Sequence, residues 1–170
     1  MFCSITINIL YSKPRQSNIE IYHLGSPVKS FQAKKIVLLG GCFDILHYGH
    51  IEFLKKSKEL GGYLIIALES DEIIIKNKKR QPIHTQQQRA QNLAAIKYVD
   101  KVLLLPALEG FKDYNQLVQD IKPAIIATTK GDPQINNKMQ QAVNIGAQVK
   151  VVIENINDFS SSDIVKLMSK

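Results

Sequence analysis

Short apolar runs and amphipathic stretches alternate along most of this chain. The run 36–39 is apolar and is followed by Gly40 and Gly41, which suits a central strand of a parallel sheet covered on both faces. Ile51, Leu54 and Lys58 recur at helical spacing, so 48–60 is predicted to be an amphipathic helix. Gly61 and Gly62 stop it. A second buried strand is expected at 63–68, YLIIAL, then a short helix over 71–75 behind Glu69, Ser70 and Asp71. Residues 76–84, KNKKRQPIH, read as a basic loop. Thr85 with Gln88 forms a capping-box pattern for a helix over 86–97. Further strands are expected at 102–105, 124–128 and 148–153, with helices over 113–121 and 136–145 and a last helix after the serines at 160–162.

Strand and helix in alternation imply right-handed crossovers and a doubly wound, parallel, five-stranded α/β sheet. Residues 34–170 form that domain, and 1–33 form an N-terminal extension. Within the extension Ile5, Ile7 and Ile9 alternate with polar residues, and Ile19, Ile21 and His23 do so more loosely. That pattern fits a β-hairpin or a loose arm.

Ligands of such sheets bind beyond the carboxyl ends of the strands. The stretch after the first strand carries chemistry there. A glycine turn leading into a helix start presents backbone N–H groups to an anion. Asp44, His47 and His50 sit at that mouth, and the two histidines, three residues apart, share one side of the first turn. Gly49 has no Cβ and lets backbone and anion approach closely.

The segment GGCFDILHYGH resembles the G-x-F-D-x-x-H-x-G-H signature of the cytidylyltransferase-like nucleotidyltransferases. That superfamily includes glycerol-3-phosphate cytidylyltransferase, heptose-phosphate adenylyltransferase and archaeal-type FAD synthases. The resemblance implies a Rossmann-like fold and transfer of a nucleoside monophosphate from a triphosphate to a small phosphorylated acceptor. It implies that His47 and His50 bind phosphates and stabilise charge on the α-phosphate. Gly40, Gly41, Cys42, Phe43, Asp44 and Gly49 would line the nucleotide, with Asp44 beside the phosphates or helping to hold magnesium. The basic loop matches the family's lysine loop, so Lys78 is assigned to catalysis and Lys79 to nucleotide binding, with Arg80 one register away. Arg89 matches the family's arginine after that loop. Gly131 and Asp132 match an element that contacts ribose or base. Ser160, Ser161 and Ser162 match the phosphate-binding serines. No metal-ligand motif is present, so magnesium would be bridged by the phosphates.

Two departures bear on the substrates. Pro133 and Gln134 stand where relatives carry an aromatic, and 155–159 lacks the R-T-E-G of cytidylyltransferases. ATP with a sugar phosphate or FMN is therefore the expected pair, and CTP with a polyol phosphate is the alternative. A non-catalytic nucleotide-binding protein and a fragment of a class I aminoacyl-tRNA synthetase are weaker readings.

Composition adds bounds. The 170 residues suffice for one domain with a sizeable core. A net charge of +7 fits attraction of a small anionic ligand, with the lysines too dispersed for a nucleic-acid surface. Cys3 and Cys42 suit reduced thiols rather than a disulfide framework. The N-terminus lacks the pattern of a signal peptide and no run is long enough to span a bilayer. A cytoplasmic homodimer is the expectation.

Overall fold

The computed structural model describes residues 18–28 and 35–154. The elements in order are β1 (Ile19–Ile21), β2 (Ile36–Gly41), α1 (Tyr48–Glu59), β3 (Tyr63–Leu68), α2 (Asp71–Lys78), α3 (Gln86–Ala94), β4 (Lys101–Leu104), α4 (Gly110–Ile121), β5 (Ile125–Thr129), α5 (Ile135–Ile145) and β6 (Gln148–Ile153).

The strands form one parallel sheet in the order β1-β4-β3-β2-β5-β6. The count is six rather than five. The added strand is β1, from the stretch read as an extension. Ile19 pairs in parallel with Val102, and Val102 N–H donates to the Asn18 carbonyl at 2.7 Å. The Ile5–Ile9 half of the expected hairpin lies outside the described residues, as does the expected C-terminal helix.

Strand β2 occupies the middle, between β3 and β5. The chain runs outward to one side through β3 and β4, then returns to the other through β5 and β6. The reversal beside β2 opens a crevice at its carboxyl end. Successive side chains of a strand point to opposite faces, so the buried sheet residues divide into two layers. Val37, Leu39, Leu64 and Ile66 pack with Phe53 and Leu54 of α1 and Leu93 of α3. Leu38, Ile65 and Ile126 pack with Leu117, Val118 and Ile121 of α4 and Ala142 of α5.

Helix boundaries follow local chemistry. Ser70 caps α2 by accepting from the Ile73 N–H, and the helix runs to Lys78 instead of stopping at 75. Lys76 and Lys78 are therefore helical, and the loop begins with Lys79 in the left-handed region at φ +55°. The capping box of Thr85 and Gln88 is present at the start of α3. Gly62 has a specific cause, because a Cβ there would meet the Lys35 carbonyl oxygen at 2.7 Å.

Candidate active site

Strand β2 ends at Gly41, and a Cβ on that residue would lie 2.9 Å from the Phe43 ring. Phe43 itself adopts φ +46°, unusual for a residue with a side chain. The turn thereby folds the Phe43 ring inward, where it is buried 4.9 Å from the His50 ring. His47 stands in extended backbone at the N-cap of α1, and its carbonyl accepts from the N–H groups of His50 and Ile51. The two imidazoles stack, with centroids 3.8 Å apart and planes 26° from parallel. His47 Nδ1 is buried with no hydrogen-bond partner among the described residues.

Burial disfavours the charged form of both rings. It holds His47 below its ordinary value. It pushes His50 down to about 4, with help from His47 and Lys78 and against the opposing effect of the Ile45 backbone. Both rings are therefore neutral near pH 7. A neutral imidazole donates through one nitrogen and accepts through the other, so each ring carries one N–H donor.

Arg89 joins several turns of the fold. It is fully buried. Its guanidinium donates to the carbonyls of Cys42 at 2.5 Å, Glu69 at 2.8 Å and His84 at 3.2 Å, and to the Asp71 carboxylate at 2.7 Å. One side chain thus joins the turns after β2 and β3 to the start of α3. Four of its five N–H donors are taken by these contacts.

Asp44 is also held by contacts within the chain. Its side chain is fully buried, and both oxygens are taken by protein donors: Arg80 at 2.7 Å, Ile83 N–H at 2.8 Å and His84 N–H at 3.2 Å. These contacts overcome the effect of burial and hold its carboxyl below the usual range. Asp44 clasps the loop over 80–84 to the turn. No cluster of three metal-ligating side chains occurs among the described residues.

The cation helix sits beside the histidines. Lys78 and Lys79 are exposed, and the Lys78 charge acts on both His50 and Cys42. Lys76 is engaged by Glu109 at 2.7 Å. Cys42 is partly buried, and burial raises its thiol.

A cavity of about 810 Å³ opens across the carboxyl ends of β2, β3, β4 and β5, within the range of about 300–1,000 Å³ usual for small-molecule sites. Gly40, Gly41, Cys42, Gly131 and Asp132 line it, whereas His47, His50, Lys78 and Arg89 do not. Asp132 accepts from Thr128 Oγ1 and Lys138 Nζ, each at 2.5 Å, and from Gln134 N–H at 2.8 Å. Gly49 is buried in α1. Ser160, Ser161 and Ser162 lie outside the described residues.

In the sequence Glu69 reads only as part of the helix start at 69–71, and Tyr114 is not singled out. The Tyr114 hydroxyl lies 3.0 Å from each Glu69 carboxylate oxygen, and both residues line the cavity. Burial raises the Glu69 carboxyl, partly offset by Tyr114, Arg89 and Lys138. The available signal was Glu69's place as the first polar residue beyond a buried strand.

Comparison with known proteins places the chain. A family model described as cytidylyltransferase-like matches residues 38–167. The chain is 40% identical over 117 residues to an FAD synthase from Pyrococcus abyssi, covering 68% of this chain and 77% of that protein. An FAD synthase from Thermococcus kodakarensis is 48% identical over 95 residues, which span 55% of this chain and 62% of that protein. The bifunctional protein HldE of Campylobacter jejuni subsp. doylei is 37% identical over 134 residues, 78% of this chain but 27% of its own length. Among solved structures, a lipopolysaccharide core biosynthesis protein from Thermoplasma volcanium superposes with a TM-score of 0.56 at 30% identity, covering 71% of this chain and 94% of that one. No helix among the described residues is long and apolar enough to cross a membrane. With its glycine turn, paired histidines and six-stranded parallel sheet, the chain belongs to the cytidylyltransferase-like family.

Proposed function

We propose that this protein is a nucleotidyltransferase that moves AMP from ATP to a small phosphorylated acceptor, FMN or a heptose phosphate, and releases pyrophosphate. The observation that carries the reading is the stacked pair His47 and His50 at the start of α1, directly beyond the β2 glycine turn. Relatives named FAD synthase and HldE supply the acceptor classes.

The chemistry follows from the site. An oxygen of the acceptor phosphate attacks the α-phosphorus in line. The new P–O bond forms as the bond to the β-phosphate oxygen breaks, and pyrophosphate leaves with that electron pair. The acceptor phosphate is already anionic near neutral pH, so no general base is needed. His47 and His50 donate to oxygens on which charge builds, in a site whose low polarity strengthens each contact. Lys78 and Lys79, at the end of α2, neutralise the leaving pyrophosphate. Gly131 and Asp132 face the ribose. Magnesium bound with the triphosphate would neutralise charge on the phosphates.

The test is pyrophosphate release from ATP or CTP, with magnesium, in the presence of FMN, a heptose phosphate or glycerol 3-phosphate. Turnover of ATP with FMN or the heptose phosphate is expected. Turnover of CTP alone, or none with any pair, overturns the reading.

A further inference from the structure

Helix α5 is turned against its own composition. Met139 and Val143 are 51% and 79% exposed, whereas Gln141 is 5% exposed. A surface helix ordinarily buries its apolar stripe and leaves its polar face to water. Here Gln134, Asn137, Lys138 and Gln141 recur at i, i+3, i+4 and i+7, share one side, and line the cavity. The first three are answered within the chain. Asn137 donates to the Gln134 side chain at 2.7 Å, and Lys138 pairs with Asp132 at 2.5 Å. Gln141 is not answered: its side chain makes no hydrogen bond among the described residues.

Gln141 also sits deep. The cavity reaches back from the strand ends to Leu38 and Ile126, which are register partners in β2 and β5. Leu38 lies about 10 Å inside the end of β2 at the rise of a strand. Gln141 lies about 10 Å along α5 from Gln134 at the rise of a helix. Helix α5 leads back from β5 to the parallel β6, so it runs against the strands and the two depths coincide. The walls there include Leu38, Ile126, Leu117 and Val118.

A buried amide without a partner costs stability relative to an apolar side chain of the same shape. A carboxamide offers two donors and one acceptor group and carries no charge. It suits an uncharged group that both donates and accepts, such as a hydroxyl or a ring imide. An anion gains little at this depth, because the ammonium of Lys138 is already taken by Asp132. The cavity also lies on the side of the sheet covered by α4 and α5, while α1, which carries the histidines, packs on the other. A body lying in the cavity therefore approaches a phosphorus held at His47 and His50 from the far side, as in-line attack requires.

We infer that Gln141 is a specificity residue for the phosphorylated acceptor, which enters the cavity uncharged end first and gives a hydroxyl or imide to the Gln141 amide while its phosphate stays at the strand ends. The inference rests on the nucleotidyl-transfer reading. It adds the direction in which the acceptor lies and the residue that reads its far end.

Gln141→Met and Gln141→Leu both remove the amide and have helix propensities close to glutamine's. Titration calorimetry of the full chain, without nucleotide, measures binding of FMN and of a heptose phosphate, and pyrophosphate release gives the KM values. Wild-type protein is expected to bind one of the two, which identifies the source of the uncharged group. Each variant should weaken that binding and raise the acceptor's KM roughly tenfold, the effect of one lost hydrogen bond, while the KM for ATP stays within about twofold. The thermal midpoint should hold level or rise by up to about 4 °C. Wild-type protein that binds neither compound overturns the inference. So does a midpoint that falls in both variants, or loss of folding in both, since the amide then serves the fold. A rise in the KM for ATP in place of the acceptor's also overturns it. Pyrophosphate release with an unchanged acceptor KM in a folded variant overturns it and leaves the transfer reading standing. Acceptor binding that depends on Gln141, with no pyrophosphate from any triphosphate, supports the inference and removes the transfer reading.

Discussion

Arg89 holds Cys42 through its carbonyl oxygen, 2.5 Å from the buried guanidinium, so the turn that precedes the histidines is tied to a helix forty-odd residues later in the chain. The same group holds Glu69 and His84. Replacing Arg89 with Met should strand three buried carbonyls and the Asp71 carboxylate. The expected loss is about 3–5 kcal/mol, seen as a fall in thermal midpoint of roughly 6–20 °C for a chain of this size. A direct phosphate contact would instead leave the ligand-free midpoint unchanged and raise only the KM for ATP.

Acid should weaken the fold through His50. Its folded value lies near 4, below the ordinary 6.5. As pH falls below 6.5, the unfolded chain takes up a proton that the folded chain refuses, so stability is lost down to about 4 and levels off beneath it. His50→Asn should flatten that part of the profile, measured by denaturant midpoints across the window. The same variant should lower kcat by roughly 10²–10³, the usual effect of removing one donor to transition-state charge.

Asp44→Asn keeps the shape of the clasp and removes its charge. Arg80 loses its ion pair and faces an amide NH2 donor, while the remaining Oδ1 can still accept from the Ile83 and His84 N–H groups. A cost of about 1–3 kcal/mol is expected, with faster tryptic cleavage after Arg80. In the parent protein the clasp's contribution is present above pH 3.8 and is lost as pH falls through the lower folded value. Unchanged proteolysis in the variant would remove the clasp.

Gly41→Ala and Gly62→Ala separate turn geometry from general packing. At Gly41 the new Cβ meets the Phe43 ring at 2.9 Å, and at Gly62 it meets the Lys35 carbonyl oxygen at 2.7 Å. Each should cost about 1–3 kcal/mol. Gly41→Ala should also displace the ring beneath His50 and depress kcat beyond the loss of folded protein. Gly62→Ala should reduce stability alone. Equal kinetic effects in the two variants would show that Phe43 does not set the position of His50.

The order of strands and helices was legible because each buried strand is a compact apolar run and each helix carries local stop signals, as at Thr85–Gln88 and Gly61–Gly62. The histidine motif was legible because its spacing is fixed within one turn. What stayed hidden depends on distant pairing. Ile19–Ile21 shows only a loose alternation, and nothing local tells that its partner is the distant β4. Arg89 reads as a surface charge on a helix until three carbonyls from separate loops are seen around it. Nothing near Asp44 in the sequence points to its donors at 80–84. Glu69 and Tyr114 are 45 positions apart, and no local pattern joins them.

Strand β1 imposes an order of assembly. It is synthesised before every other described strand, yet its hydrogen-bond partner is β4, about eighty residues later. At about 5–20 residues per second that segment waits roughly 4–16 s for its partner to be made. Throughout that interval its backbone donors and acceptors must be met by water or by another chain. Glu20 at the centre of β1, which pairs with Lys101 only in the finished sheet, keeps a charge on the waiting strand and opposes pairing with its own copies on neighbouring nascent chains.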